Sequence, residues 1–140
     1  MANIVPVIKK NGSVQICINF RNINEAYPKD NFPLPFINQV VDQTVRFGIM
    51  SLMDGFLGYN QILIAPEDRH KTSFTMPWGT FSYKVMPFGL KNASATYQRA
   101  MYYAFHDLIN TIVQAYVDDF LALSRHRSDH LANLRVVLER

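Results

Sequence analysis

Two adjacent carboxylates wedged between apolar runs constrain this chain more than any other feature: Tyr116-Val117-Asp118-Asp119. Ile112-Val113-Gln114-Ala115 lead into the pair and Phe120-Leu121-Ala122-Leu123 follow it, so the segment reads as a hairpin with its charges at the turn. Burying two like charges beside apolar strands costs on the order of several kcal/mol unless a cation neutralises them. Oxygen-only ligands favour magnesium or manganese over zinc. Taken alone, an Asp-Asp pair is more often a solvated turn than a metal site. A third acid changes the balance. Asp54 closes Phe47-Gly48-Ile49-Met50-Ser51-Leu52-Met53, a second mostly apolar, strand-like run. Carboxylates at the ends of two different strands can converge on one ion, and paired metals on carboxylates stabilise in-line attack on phosphate.

The 140 residues are one domain's worth of chain, enough to bury a core. With 49% hydrophobic and 18% charged residues the composition is globular and argues against disorder. No stretch approaches the ~18 unbroken apolar residues of a membrane span, and no signal-peptide pattern opens the chain, so no membrane partner is expected. The net charge of +3 suits an anionic partner without proving one. Several of the acids are the proposed metal ligands, which leaves the remaining surface more basic than the total suggests. Its basic residues fall in three small groups: Lys9-Lys10, Arg69-His70-Lys71 and Arg125-His126-Arg127. Cys17, the only cysteine, excludes an intramolecular disulfide and a multi-cysteine zinc site, and within Val14-Gln15-Ile16-Cys17-Ile18 it reads as a small core side chain.

Asn11-Gly12 between residues 4–8 and 14–18 predicts a hairpin with a tight primed turn. Residues 28–35, punctuated by proline, should be extended and irregular. A short helix is expected over 37–45, a strand over 47–54, a turn over 55–58 and a strand over 61–64. Segments 73–76 and 81–85 flank Pro77-Trp78-Gly79-Thr80 as a second hairpin. Tyr97, Met101 and Ala104 share one face of a helix over 94–106. A last helix over 128–139 would bury Leu131, Leu134 and Leu138, with Ser128 or Asp129 as its cap. From residue 47 the order is strand, excursion, helix, strand, strand, helix. That is a split βαβ, ferredoxin-like antiparallel sheet of α+β class that lacks its closing strand.

The motifs then become specific. Val5-Pro6-Val7-Ile8-Lys9-Lys10-Asn11-Gly12, Phe20-Arg21-Asn22-Ile23-Asn24, Phe32-Pro33-Leu34-Pro35 and Leu52-Met53-Asp54-Gly55-Phe56-Leu57-Gly58-Tyr59-Asn60-Gln61-Ile62 occur in that order. Pro66-Glu67-Asp68-Arg69-His70-Lys71-Thr72-Ser73-Phe74, Val85-Met86-Pro87-Phe88-Gly89-Leu90-Lys91-Asn92-Ala93, Ala95-Thr96-Tyr97-Gln98-Arg99 and the Tyr-Val-Asp-Asp box follow. The whole series resembles the reverse transcriptase of gypsy-type long-terminal-repeat retrotransposons, plant-like in character. The resemblance implies a right-hand polymerase, with 1–47 and 61–85 in the fingers and 48–60 and 86–140 in the palm. It implies RNA- and DNA-templated DNA synthesis on a template-primer from deoxynucleoside triphosphates. The implied catalytic residues are Asp54, Asp118 and Asp119, which with the Gly55 carbonyl would hold two Mg2+ or Mn2+ ions, Asp54 and Asp118 bridging both. Tyr116 and Val117 would shape the acid hairpin. Lys9 and Gln15 would meet the triphosphate, Tyr59 would stand against the sugar and exclude a 2′-hydroxyl, and Phe88-Gly89 would lie near the nascent base pair.

The sequence also departs from the family. An arginine is usual where Gln15 stands, and an uncharged amide should grip phosphate less tightly. Leu57 replaces a residue that is usually small and often polar. The resemblance further implies a thumb and a ribonuclease H domain as neighbours, and an intracellular location in a virus-like particle or the nucleus. Negligible polymerase activity is expected of these 140 residues by themselves. The alternative reading is a decayed retroelement copy that keeps the fold without the activity.

Overall fold

The computed structural model describes residues 1–55, 58–117 and 119–140. The chain divides into two compact units, each made of two separate stretches: Met1–Asp30 with Tyr59–Ala93, and Asn31–Gly58 with Ser94–Arg140.

In the first unit β1 (Asn3–Ile8) and β2 (Val14–Asn19) form the expected antiparallel hairpin, with Ile8 opposite Val14. The tight primed turn does not form. The Lys9 N–H donates to the Ser13 carbonyl and the Gly12 N–H to the Lys9 carbonyl, and of the turn residues it is Gly12 that takes positive φ, at 81°. This is a three-residue loop whose glycine makes the bulge, so only one residue bears the left-handed conformation. A short helix, α1 (Arg21–Ala26), follows, and 28–36 carries no regular structure, as the prolines require. The expected strand over 61–64 is instead a 3-10 turn (Gly58–Gln61) followed by a single bridge, Leu63 to Val85. The Ile64 N–H still donates to the Lys84 carbonyl and the Met86 N–H to the Ile62 carbonyl, so the pairing exists but is too short to make a strand. β4 (Phe74–Met76) and β5 (Gly79–Phe81) close the second hairpin around Pro77-Trp78, ending four residues earlier than the sequence suggested. Cys17 is half-buried and free rather than a core residue.

The second unit is built on β3 (Ile49–Asp54), β6 (Val113–Tyr116) and β7 (Asp119–Ser124), all antiparallel in the order β3-β7-β6. Along β3 the half-buried Ile49, Ser51 and Met53 alternate with the exposed Met50, Leu52 and Asp54, the period-two pattern of a strand covered on one face. Val113, Ala122 and Val137 form the core on the covered side, with Met53, Phe105, Leu108, Ile112 and Leu134 around them. Two helices flank the sheet in sequence, α3 (Ala93–Ala104) and α4 (His130–Leu138), while α2 (Ile37–Thr44) packs against β6.

The predicted face of α4 is corrected. Leu131 and Leu138 are exposed, and the helix buries His130 and Val137 instead. His130 sits between two serines, Nε2 at 2.8 Å from Ser51 Oγ and Nδ1 at 3.0 Å from Ser124 Oγ. Asn133 Nδ2 donates to Ser124 Oγ and to the Leu123 carbonyl. Polar side chains with partners can take inward positions that an apolar pattern assigns to leucine. Neither Ser128 nor Asp129 caps the helix through its side chain; Ser128 bonds Asp129 instead.

Candidate active site

β3 and β7 run antiparallel in a register that sets Asp54 directly opposite Asp119. Cross-strand partners project from the same face with Cβ atoms roughly 4.5–5.5 Å apart, and like charges so placed repel. Both residues are exposed, at the end of the ladder. On its other side the same Asp119 faces Tyr116 across the β6–β7 hairpin, because β7 is the central strand. Val117 follows Tyr116 with φ at 51°, in the left-handed region that a β-branched residue rarely occupies. Asp118, Leu57 and the middle of the turn predicted over 55–58 lie outside the described residues. The Gly58 N–H donates to the Gly55 carbonyl at 2.9 Å, which closes the segment after Asp54. Among the described residues no three His, Cys, Asp or Glu side chains gather. The structure therefore brings together two of the three expected acids and is silent on the third.

An all-oxygen pair of opposed carboxylates suits a hard divalent cation, which would remove the repulsion that the register imposes. The donor set thus fits magnesium or manganese.

The other candidate residues lie in the first unit. Gln15, Phe88 and Gly89 line one cavity of about 280 Å³ together with Ile16, Cys17, Ile18, Asn60, Tyr83 and Pro87. Tyr59 is 7% exposed, and its ring meets that of Phe88 edge-on at 4.9 Å between centroids, so it backs the cavity's aromatic wall. Phe88 itself is 55% exposed. Burial raises the Tyr83 phenol above its usual pKa, with nearby Cys17 adding to the effect. Lys9 is exposed in the β1–β2 loop.

Two functional candidates escaped the sequence reading. Asn24 fixes the Phe88-Gly89 segment: its Nδ2 donates to the Gly89 carbonyl at 2.8 Å, and its Oδ1 accepts from the Lys91 N–H at 2.7 Å. Gly89 turns there with φ at 93°. Gln98, on α3, is fully buried and hydrogen-bonded to the acid hairpin. A polar residue beside an aromatic on a buried helical face was the available signal for Gln98; Asn24 gave none.

Comparison with known proteins settles the family. The model of the family described as reverse transcriptase (RNA-dependent DNA polymerase) matches residues 7–140. The chain belongs to the reverse transcriptase family. It is 35% identical to the retrovirus-related Pol polyprotein from transposon gypsy of Drosophila melanogaster, over 92% of this chain and 12% of that one. It is 31% identical to an RNA-directed DNA polymerase homolog of Oenothera berteroana, over 91% of this chain and 92% of that one. Among solved structures, that of the Prototype Foamy Virus protease-reverse transcriptase superposes with a TM-score of 0.86 at 23% identity, covering 99% of this chain and 18% of the other. The foamy viral protease-reverse transcriptase in complex with an RNA/DNA hybrid gives a TM-score of 0.87 at 21% identity. The polymerase fold and the gypsy-type kinship expected from the motifs hold, and with them membership of a nucleotidyltransferase family. The chain spans about an eighth of the gypsy polyprotein it matches. No helix of the described residues is long and apolar enough to cross a membrane.

Proposed function

We propose that this chain carries the catalytic acids and part of the nucleotide site of a retroelement polymerase that extends a primer on an RNA or DNA template. The observation that carries the reading is the register placing Asp54 opposite Asp119 at the exposed end of a ladder. A sheet gains nothing from two opposed carboxylates, whereas a divalent cation needs them. Asp54 and Asp119, with Asp118 and the Gly55 carbonyl, would hold two Mg2+ or Mn2+ ions. When bound, such ions supply Lewis-acid activation of the primer hydroxyl and neutralise charge on the triphosphate.

The chain's own residues would do the rest. Lys9 would meet the triphosphate as a point charge and Gln15 as a neutral hydrogen-bond donor. Phe88 and Gly89 border the cavity that would receive part of the nucleotide, and Tyr59 stiffens Phe88 from behind. The motif's resemblance would further give Tyr59 the selection of deoxynucleotides, by crowding the 2′ position. The fingers and palm of such a polymerase would take their residues from the two units.

The test is primer extension on an RNA template, with magnesium and all four deoxynucleotides, by a polyprotein that carries this chain. Asp119→Asn is expected to lower extension at least 100-fold while shifting the melting temperature by less than a few degrees. Extension at the unmodified rate would overturn the reading.

A further inference from the structure

The turn that leads into the acid pair is hydrogen-bonded by a buried side chain of α3. Gln98 lies on α3 and is 0% exposed, and both ends of its amide are used. Its Oε1 accepts the Val117 N–H at 2.7 Å, and its Nε2 donates to the Ala115 carbonyl at 3.2 Å. One amide thus spans the backbone on either side of Tyr116. The orientation of the amide is fixed by its partners, because an N–H needs an acceptor and a carbonyl a donor.

Val117 needs such a partner. Left-handed backbone is unfavourable at a β-branched residue and persists only where the surroundings over-determine it. The contact from Gln98 Oε1 is aimed at that residue's own N–H. The neighbouring residue on α3 does a parallel job on the other acid-bearing segment. A Cβ built on Gly58 would stand 2.7 Å from the Tyr97 ring, so ring and backbone are in close contact there. Tyr97 is 1% exposed and has no room to retreat. Consecutive α3 residues therefore abut both the segment after Asp54 and the turn that leads into the acid pair.

We propose that Gln98 is a positioning residue: its amide holds Val117 in the strained conformation from which the acid pair departs. This rests on the reading of Asp54 and Asp119 as metal ligands. An apolar residue of the same length would fill the same volume and pack α3 equally well, but it would leave the Val117 N–H and the Ala115 carbonyl without their partner.

The experiment measures Mn2+ binding to the 140-residue chain by electron paramagnetic resonance, well below each variant's melting temperature. Gln98→Met is expected to weaken Mn2+ binding at least fivefold. Val137→Ala, which opens a cavity in the core away from the turn, serves as the control for lost stability and should bind as the parent does. Gln98→Met binding within twofold of the parent, while Asp54→Asn has lost binding, would overturn the positioning role and leave the metal reading standing. Asp54→Asn binding as tightly as the parent would remove the metal reading, and the proposal with it. Should Gln98→Met fail to fold, amide hydrogen exchange in the parent chain decides. Val117 exchanging at least tenfold slower than a free amide supports the proposal, and exchange at the free rate overturns it.

Discussion

Residue by residue, the two halves of the candidate site differ in what fixes them. Asp54 and Asp119 owe their positions to strand register, which a one-residue slip would destroy by sending each to the opposite face. Phe88 and Gly89 owe theirs to a turn that Asn24 clamps through its amide, and Gln15 owes its place to the β1–β2 register, opposite Val7. The acids were legible because like charges among apolar residues are conspicuous in any sequence. Asn24 and Gln98 were not, because an amide becomes informative only once its partners are known. Tyr83, on the cavity wall, offers a titration that reports on folding. Its raised pKa means the folded chain keeps the phenol proton more tightly than the unfolded chain, whose tyrosine titrates near 10.0. The associated stability is present in full below about pH 10 and is lost as the pH rises through the higher, folded value. Chemical denaturation between pH 8 and 11 should show this extra alkaline loss in the parent and not in Tyr83→Phe; equal slopes in both would refute it.

At the scale of elements, hydrophobic period and turn residues located the hairpins, the proline-rich stretch and both long helices, because each depends on local chemistry. What they missed depends on partners far along the chain. The 61–64 segment has strand composition but pairs through a single bridge. On α4 only Leu134 of the three expected leucines packs against the core, since other inward positions belong to His130 and Asn133, whose partners Ser51 and Ser124 lie on β3 and β7. The consequence is measurable. His130→Ala should cost about 2–3 kcal/mol, by removing buried hydrogen bonds and leaving two serine hydroxyls short of a partner. Leu131→Ala, at an exposed position, should stay within about 0.5 kcal/mol of the parent. Urea denaturation of both variants checks the pair, and the opposite order of effects would restore the leucine face.

For the whole molecule, the chain passes between its two compact units three times, so neither unit is a contiguous piece of sequence. The motifs read in order along the sequence therefore alternate between units. The opposed acids Asp54 and Asp119 belong to one unit and the cavity to the other, each built on its own sheet or hairpins. The proposed role of the opposed Asp54 and Asp119 carboxylates is to hold a divalent cation, which would offset their repulsion. Melting temperature with and without Mg2+ tests this with two signs at once. In metal-free buffer, Asp54→Asn should melt slightly higher than the parent, through relief of a repulsion worth on the order of a few tenths of a kcal/mol. Added Mg2+ should raise the parent's melting temperature and leave that of Asp54→Asn unchanged. A variant that melts lower without metal, yet gains as much as the parent when Mg2+ is added, would contradict a metal-holding role for the pair.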